Sequence, residues 1–588
     1  MPSRPTAAPA LTCLLILATA LPARAQTGGP TLGDAVAKVQ GGDFQGAVQL
    51  LEQVTRSQPK NVGAWSLLGY AHLQLHELDA SIAAYETAAA LPNPTPGVYI
   101  NGALALARKG DLDAAFTWLE RAKATGRVDV TGIDADSAAA LLRDDPRYRA
   151  LFPSKAELAD PFVEPVRVLR EWDGEARGDQ FGWIARNIGD VDGDGLADVV
   201  TSAPTRANGG PNAGRIYVYS SGTGALLWTA DGHPGDQLGL GVEAAGDVDA
   251  DGVPDVIGGA PGADRAFVYS GRDGRVILTL KARQPGEWFG RKVGDIGDVD
   301  GDGHADVIVG GPRNDAAGEN AGRAYVFSGR TGEPILTLTG EGAGDHFGSS
   351  AGGAVSADGR VTLVVGAPNA GPLHKGAVYV YHDLSGEPAF VIRSDTADAQ
   401  LGAMFVSTVG DVDGDGATDV YASDWAGNGA AGLARAGRVY IHSGATGERL
   451  YTLTGEAAGD GFGIGVADAG DVDGDGHADL VIGAWQNGSG APSGGKVYLY
   501  SGADGSLIRV MTGKVMGETF GFDATGMGDV DGDGTPDLLL TSAWSAIHGG
   551  HSGRMFIVSG KSGAPPPSSQ KRGSAPASTE GPALRSPS

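Results

Sequence analysis

The chain has 588 residues, enough for several domains or for one repeat array beside a smaller domain. Its 71 Asp+Glu against 44 Lys+Arg give a formal net charge of −27, a balance that repels nucleic acid and anionic membranes and suits cations. A single cysteine leaves stability to come without disulfides.

The N-terminal 25 residues have the pattern of a secretory signal peptide. Arg4 supplies a positive start, and Ala10 to Leu21 (ALTCLLILATAL) is an apolar run too short to span a bilayer. Ala23-Arg24-Ala25 offers small residues for cleavage before Gln26. Cys13 lies inside the run without the Leu-small-small pattern of a lipoprotein signal, so no lipid anchor is expected. No later segment reaches the roughly 18 apolar residues of a membrane span. The expected location is extracellular or at the cell surface, or periplasmic in a two-membrane bacterium.

Residues 26–152 switch to Ala/Leu-rich segments with helical spacing. Three similar stretches, aligned on Gly42, His76 and Gly110, lie 34 residues apart, the period of a two-helix repeat. In the middle copy Trp65, Leu68, Gly69, Tyr85 and Ala88 take the knob, close-approach and core positions. The pattern resembles the tetratricopeptide family, which implies a small scaffold that binds a peptide or a neighbouring domain, or that only caps its neighbour. LLRDDPRYRALF (Leu141 to Phe152) is predicted as a closing helix, and Pro153, Pro161 and Pro165 bracket a linker at 153–164.

From 165 to 560 one acidic, glycine-rich sentence recurs. Its seven copies begin at Asp190, Asp247, Asp298, Ala354, Asp411, Asp471 and Asp529, at intervals of 57, 51, 56, 57, 60 and 58 residues. Upstream of each sits Phe-Gly or Leu-Gly, at Phe181, Leu238, Phe289, Phe347, Leu401, Phe462 and Phe520. Downstream come three short β-rich runs, such as DVVTSAP, RIYVYS and ILTL. Four strands per repeat make a propeller blade, and seven repeats make a ring. The seventh repeat has only three strands before a Pro/Ser-rich tail at 561–588, which is expected to be disordered. VRVLRE (Val166 to Glu171) belongs to no repeat and is predicted to supply the missing strand, since an open ring would leave unpaired edges.

The sentence itself reads Asp-x-Asp-x-Asp-Gly-x-x-Asp. Carboxylates at positions one, three, five and nine can curl around one hard cation, with the carbonyl at seven adding a neutral oxygen and Gly at six permitting the turn. The predicted ligands are Asp190, Asp192, Asp194, Leu196 and Asp198 in the first copy, and Asp247, Asp249, Asp251, Val253 and Asp255 in the second. The third supplies Asp298, Asp300, Asp302, His304 and Asp306; the fifth Asp411, Asp413, Asp415, Ala417 and Asp419. The sixth and seventh supply Asp471, Asp473, Asp475, His477, Asp479 and Asp529, Asp531, Asp533, Thr535, Asp537. The fourth copy has Ala354, Ser356 and Thr362 at ligand positions, and Asp358 alone cannot hold an ion. About six calcium ions are expected.

Phe-Gly, the Asp loop and a Gly-Ala-Pro ending together resemble the FG-GAP repeats of the integrin α-chain β-propeller. The resemblance implies an all-β seven-bladed propeller, here preceded by a small all-α helical repeat domain. It departs in carrying six intact calcium loops where integrin α-chains have them in only some blades, and in lacking their leg domains and membrane span. Related repeats occur in a secreted phospholipase D, whose catalytic domain has no counterpart here.

Three functions fit: an extracellular calcium-binding module for a protein or glycan ligand, with the helical repeats as a second surface; a calcium-dependent hydrolase or lyase; or a purely structural surface protein. The first is favoured, because no nucleophile elbow, zinc-type His-Glu pair or phosphate loop is present and no catalytic residue is assigned. His548 and His551 fit a solvated glycine-rich loop. Arg177-Gly178-Asp179 is set aside as an adhesive motif, since Gly-Asp or Gly-Glu precedes Phe-Gly in most repeats. Where repeats one to four place Pro204, Pro261, Pro312 and Pro368, repeats five to seven place Trp425, Trp485 and Trp544. These three indoles are the expected ligand platform, on the face opposite the Asp loops, unless they pack as core between blades.

Overall fold

A computed structural model describes residues 31–561, apart from 93, 127, 136, 357, 358 and 395–398. The signal peptide expected at 1–25, Asp358 and the tail beyond 561 therefore lie outside the described residues. The chain divides into two compact units, Met1–Ala159 and Asp160–Ser588. No helix among the described residues is long and apolar enough to cross a membrane.

The first unit opens with three helical hairpins: α1 (Leu32–Gln40) with α2 (Phe44–Ser57), α3 (Val62–Gln74) with α4 (Leu78–Ala90), and α5 (Pro96–Lys109) with α6 (Leu112–Ala124). The 34-residue register falls on the turn inside each hairpin. Gly42, His76 and Gly110 all take left-handed backbone there, at φ 74°, 60° and 90°. Small residues let the paired helices touch: a Cβ on Gly69 would lie 2.9 Å from the Tyr85 ring, and one on Gly102 would lie 2.3 Å from Trp118. The first copy lacks the Trp-Leu-Gly signature, yet α1 forms, nucleated by a Thr31–Asp34 capping box. The predicted closing helix is shorter than its pattern. Asp145 caps it and Pro146 takes its first turn, so it covers only Pro146–Leu151.

The second unit is a seven-bladed propeller. Seven four-stranded antiparallel sheets occur among the described residues, six of them consecutive in the chain. In the seventh, Val168–Asp173 pairs with Arg554–Val558, so the predicted N-terminal strand does close the ring. The second strand of a blade, such as Asp306–Gly311, is buried along its whole length in every blade but the fourth, where Val361 at its start is half-buried, and it therefore reads as mostly small and apolar residues. Within the stretch expected as a linker, Phe162 is buried against Phe520 and Phe556, with ring centroids 4.8 and 5.6 Å away.

The Phe-Gly positions tie blade to blade. Phe181 forms a parallel bridge to Gly553 of blade seven, Leu238 to Gly214 of blade one and Phe347 to Gly322 of blade three. All seven of these side chains are buried. Four of the rings stand edge-on to the first tyrosine of their own blade's third strand: Phe181 on Tyr217, Phe289 on Tyr325, Phe347 on Tyr379 and Phe462 on Tyr498. The following glycine has no room for a side chain. At Gly290 (φ 87°) a Cβ would come within 2.4 Å of the Arg265 carbonyl oxygen.

Candidate metal loops and the axial face

Each Asp loop joins the inner strand of a blade to its second strand, and blade three shows how the sequence folds it. Asp298 Oδ1 accepts from the Gly301 and Asp302 amides at 2.8 and 3.1 Å, and Oδ2 accepts from Gly303 at 2.9 Å. Asp300 accepts from the Asp302 amide and Asp302 from that of His304. The carboxylates are thereby drawn inward, and Gly301 and Gly303 take the left-handed turns this requires. The same bonds recur in blades one, five, six and seven. Blade two departs by placing Ala250 at φ 58°, a conformation that costs an alanine about 1 kcal/mol.

Ligand-capable oxygens converge. In blades one, two and three the carboxylates at positions one, three and five lie within 4.8 Å of one another, as do positions one, three and nine in blades five and six. Asp249 keeps one buried oxygen, Oδ1, with no hydrogen-bond donor. Several hard oxygens around one point, with no soft ligand, is donor chemistry that fits calcium.

Position nine does a second job. Asp306 Oδ2 accepts from the Val299 amide at 2.9 Å, while Oδ1 accepts from Gly329 at the end of the third strand at 2.8 Å. Asp198, Asp255, Asp419, Asp479 and Asp537 make the equivalent pair of bonds, so each ties the loop to the blade. All six are fully buried. Burial pushes the carboxyls of Asp198, Asp255, Asp306, Asp419 and Asp537 up to about 6, and Asp479 in the same direction, against the pull of these backbone donors. At position seven (Leu196, Val253, His304, Ala417, His477 and Thr535) it is the backbone amide that bonds the carboxylate at position five, and Thr535 adds a side-chain bond to Asp533.

Blade four closes without such a loop. Its inner and second strands pair through Ala354↔Thr362 and Val355↔Val361, and Ser356 and Arg360 are bonded to each other.

At the other end of the strands, Trp425, Trp485 and Trp544 do come together. Trp485 stands edge-on to Trp544 at 4.6 Å and to Trp425 at 6.4 Å, and it meets Phe522 at 5.5 Å. Trp183, Met404 and Ile464 complete the cluster. Trp485 is only 6% exposed, so its indole is chiefly packing, while Trp425 and Trp544 are half-buried. His551 stacks on Trp544 at 5.1 Å, and His548 is bonded to the Gly174 carbonyl. Asp179 is buried and paired with Arg206 at 2.5 Å, which takes the carboxylate of the Arg177-Gly178-Asp179 stretch out of display although Gly178 is exposed.

A charged cluster on the inner strands escaped sequence reasoning. Arg186 of blade one bonds Glu243 of blade two at 2.9 Å and Asp523 of blade seven at 2.5 Å, and Lys292 of blade three lies 3.5 Å from Glu243. Phe405 of blade five lies against both cations. The available signal was a charge placed in otherwise small or apolar runs, as in GVEAAG, KVGDIG and GFDATG.

The family models agree with this geometry. The FG-GAP repeat matches residues 181–219, 242–278 and 293–327, an FG-GAP-like repeat matches 471–540, and the tetratricopeptide repeat matches 32–95. The chain is an integrin α-like FG-GAP propeller protein with tetratricopeptide-like repeats before the propeller. Among curated relatives, this FG-GAP propeller protein is 33% identical over 181 residues to integrin alpha-PS5 of Drosophila melanogaster, covering 28% of the chain and 18% of the relative. It is 30% identical over 171 residues to integrin alpha-4 of Xenopus laevis, covering 26% and 16%. With integrin alpha-5 of Xenopus laevis it shares 29% over 198 residues, covering 30% and 19%. The FG-GAP propeller protein thus spans less than a fifth of each relative's length.

Proposed function

We propose that this protein is an extracellular binding module whose propeller is stapled by about six calcium ions and presents a ligand face opposite the Asp loops, toward a protein or glycan. The recurrence of the Asp loop in six of seven blades, with its carboxylates folded inward, carries the reading. The ions would be held by the carboxylates at positions one, three, five and nine together with the position-seven carbonyl. Calcium supplies the positive charge that lets these crowded acids stay ionised, so binding and folding of the loop are coupled. Affinities of about 10⁻⁴–10⁻³ M are typical of extracellular modules. The likeness to integrin α-chains supports an adhesion-type role and a non-enzymatic one, and the helical repeats would offer a second interaction surface for a peptide or domain.

The test is affinity capture of extracellular proteins and glycans by the full chain, with and without chelator, followed by alanine variants at the three indoles. Trp485→Ala is expected to lower the melting temperature, since truncating a buried indole costs about 3–5 kcal/mol. Trp425→Ala and Trp544→Ala, at half-buried positions, are expected to reduce capture while lowering the melting temperature less than Trp485→Ala does. Capture that is indifferent to all three substitutions moves the ligand site elsewhere, and a collapse of stability at all three leaves only a packing role.

A further inference from the structure

The six Asp loops share one pattern but not one electrostatic environment. In blade two, Arg275 lies 2.5 Å from Asp249 and Arg272 lies 3.2 Å from Asp251. In blade seven, Arg167 lies 2.6 Å from Asp531, and Lys561 lies 3.2 Å from Asp533. Among the described residues, no lysine or arginine comes within 4.0 Å of the loop carboxylates in blades one, three, five and six.

We propose that the metal loops form two classes: blades one, three, five and six bind calcium more tightly, while blades two and seven bind it more weakly because two resident cations already offset part of their charge. This inference rests on the calcium reading above. Affinity in oxygen-ligand loops is tuned by the count of ligand charges. Four carboxylates without a cation gain more from a divalent ion than four that already face two basic side chains. In blade two one oxygen of Asp249 faces Arg275, while the other is buried and has no donor. An ion can therefore still enter, into a field weakened by the guanidinium.

The two classes differ in what they do for the ring. Arg167 directly precedes the closing strand Val168–Asp173, and Lys561 lies three residues beyond the end of the last strand of blade seven, Arg554–Val558. Their pairing with Asp531 and Asp533 anchors both ends of the propeller at the closing blade before any ion arrives. The ring is thus latched by its own side chains, and calcium then stiffens the blades that have no such latch.

The test uses the full chain and the blade-two arginines, which take no part in closure and are more than half exposed. Calcium titration calorimetry, with terbium luminescence as a second readout, is expected to resolve four tighter and two weaker ions. In the R272Q/R275Q variant one weak site is expected to join the tight class, with its affinity raised about fivefold, a modest change because the pairs are exposed. The gap between the classes is expected to narrow at high salt. Six ions in a single class, or a variant whose loop binds no tighter or more weakly, overturns the two-class inference and leaves the calcium reading standing. Absence of any uptake by the unmodified chain overturns both.

Discussion

A chain lacking residues 165–172 is expected to aggregate, or to lose most of its propeller stability, although it retains every Asp loop and every Phe-Gly. The deletion removes most of the strand that completes blade seven, leaving Arg554–Val558 as an unpaired edge in a ring that otherwise has each blade complete. It also removes Trp172, which is buried against Tyr219 of blade one at 5.4 Å and donates its indole N–H to the Gly224 carbonyl at 3.0 Å. Burial of an aromatic of this size is worth about 2–3 kcal/mol by area alone. Glu171 goes as well, and with it one of the acids that pair with the fully buried Arg554, which keeps Glu518 at 3.2 Å and the more distant Asp173 at 3.8 Å. An under-compensated buried guanidinium and an open edge act in the same direction. Gel filtration and thermal melting measure the effect, and a truncated chain that elutes as a monomer and melts with the full one would show that the ring closes some other way.

Asp523→Ala is expected to be the most damaging single substitution on the inner strands. Asp523 and Arg186 are both buried and 2.5 Å apart, and Asp523 also accepts the Ala185 amide at 3.0 Å. Removing one partner of a buried ion pair leaves the other charge uncompensated and costs about 3–5 kcal/mol. Glu243 remains beside Arg186, but it must also serve Lys292. The melting temperature of the propeller is expected to fall by several degrees, with Asp523→Asn falling less because the amide keeps the acceptor. Equal melting of the alanine variant and the unmodified protein would mean that the cluster is not a structural pin.

What the sequence discloses, and what it hides, follows from how local each signal is. The Asp loop is nine consecutive residues whose bonds stay almost wholly within the loop, so six copies are readable one by one, and the substitutions at Ala354, Ser356 and Thr362 already mark blade four as different. Phe-Gly is equally visible, but its role in bridging to the preceding blade is not, because Gly214 and Gly322 acquire meaning only once two repeats sit side by side. The closing strand is legible by subtraction, since repeat seven is one strand short. The axial cluster is hidden: Arg186, Glu243, Lys292 and Asp523 come from four repeats and meet only at the axis. For the same reason the three indoles can be seen to share a position, but not that Trp485 would be enclosed by Trp183 and Phe522 from blades one and seven. In the helical unit the 34-residue period carries the fold, while the short closing helix at Pro146 is governed by a cap and a proline rather than by periodicity.

The central claim is that calcium staples the propeller, and the most direct measurement is to count calcium on the chelator-treated full chain as the ion is added back, following the melting temperature in the same titration. About six ions are expected, with the melting temperature rising as they load and falling again when chelator is restored. A chain that takes up no calcium, or whose melting temperature ignores both ion and chelator, would contradict it.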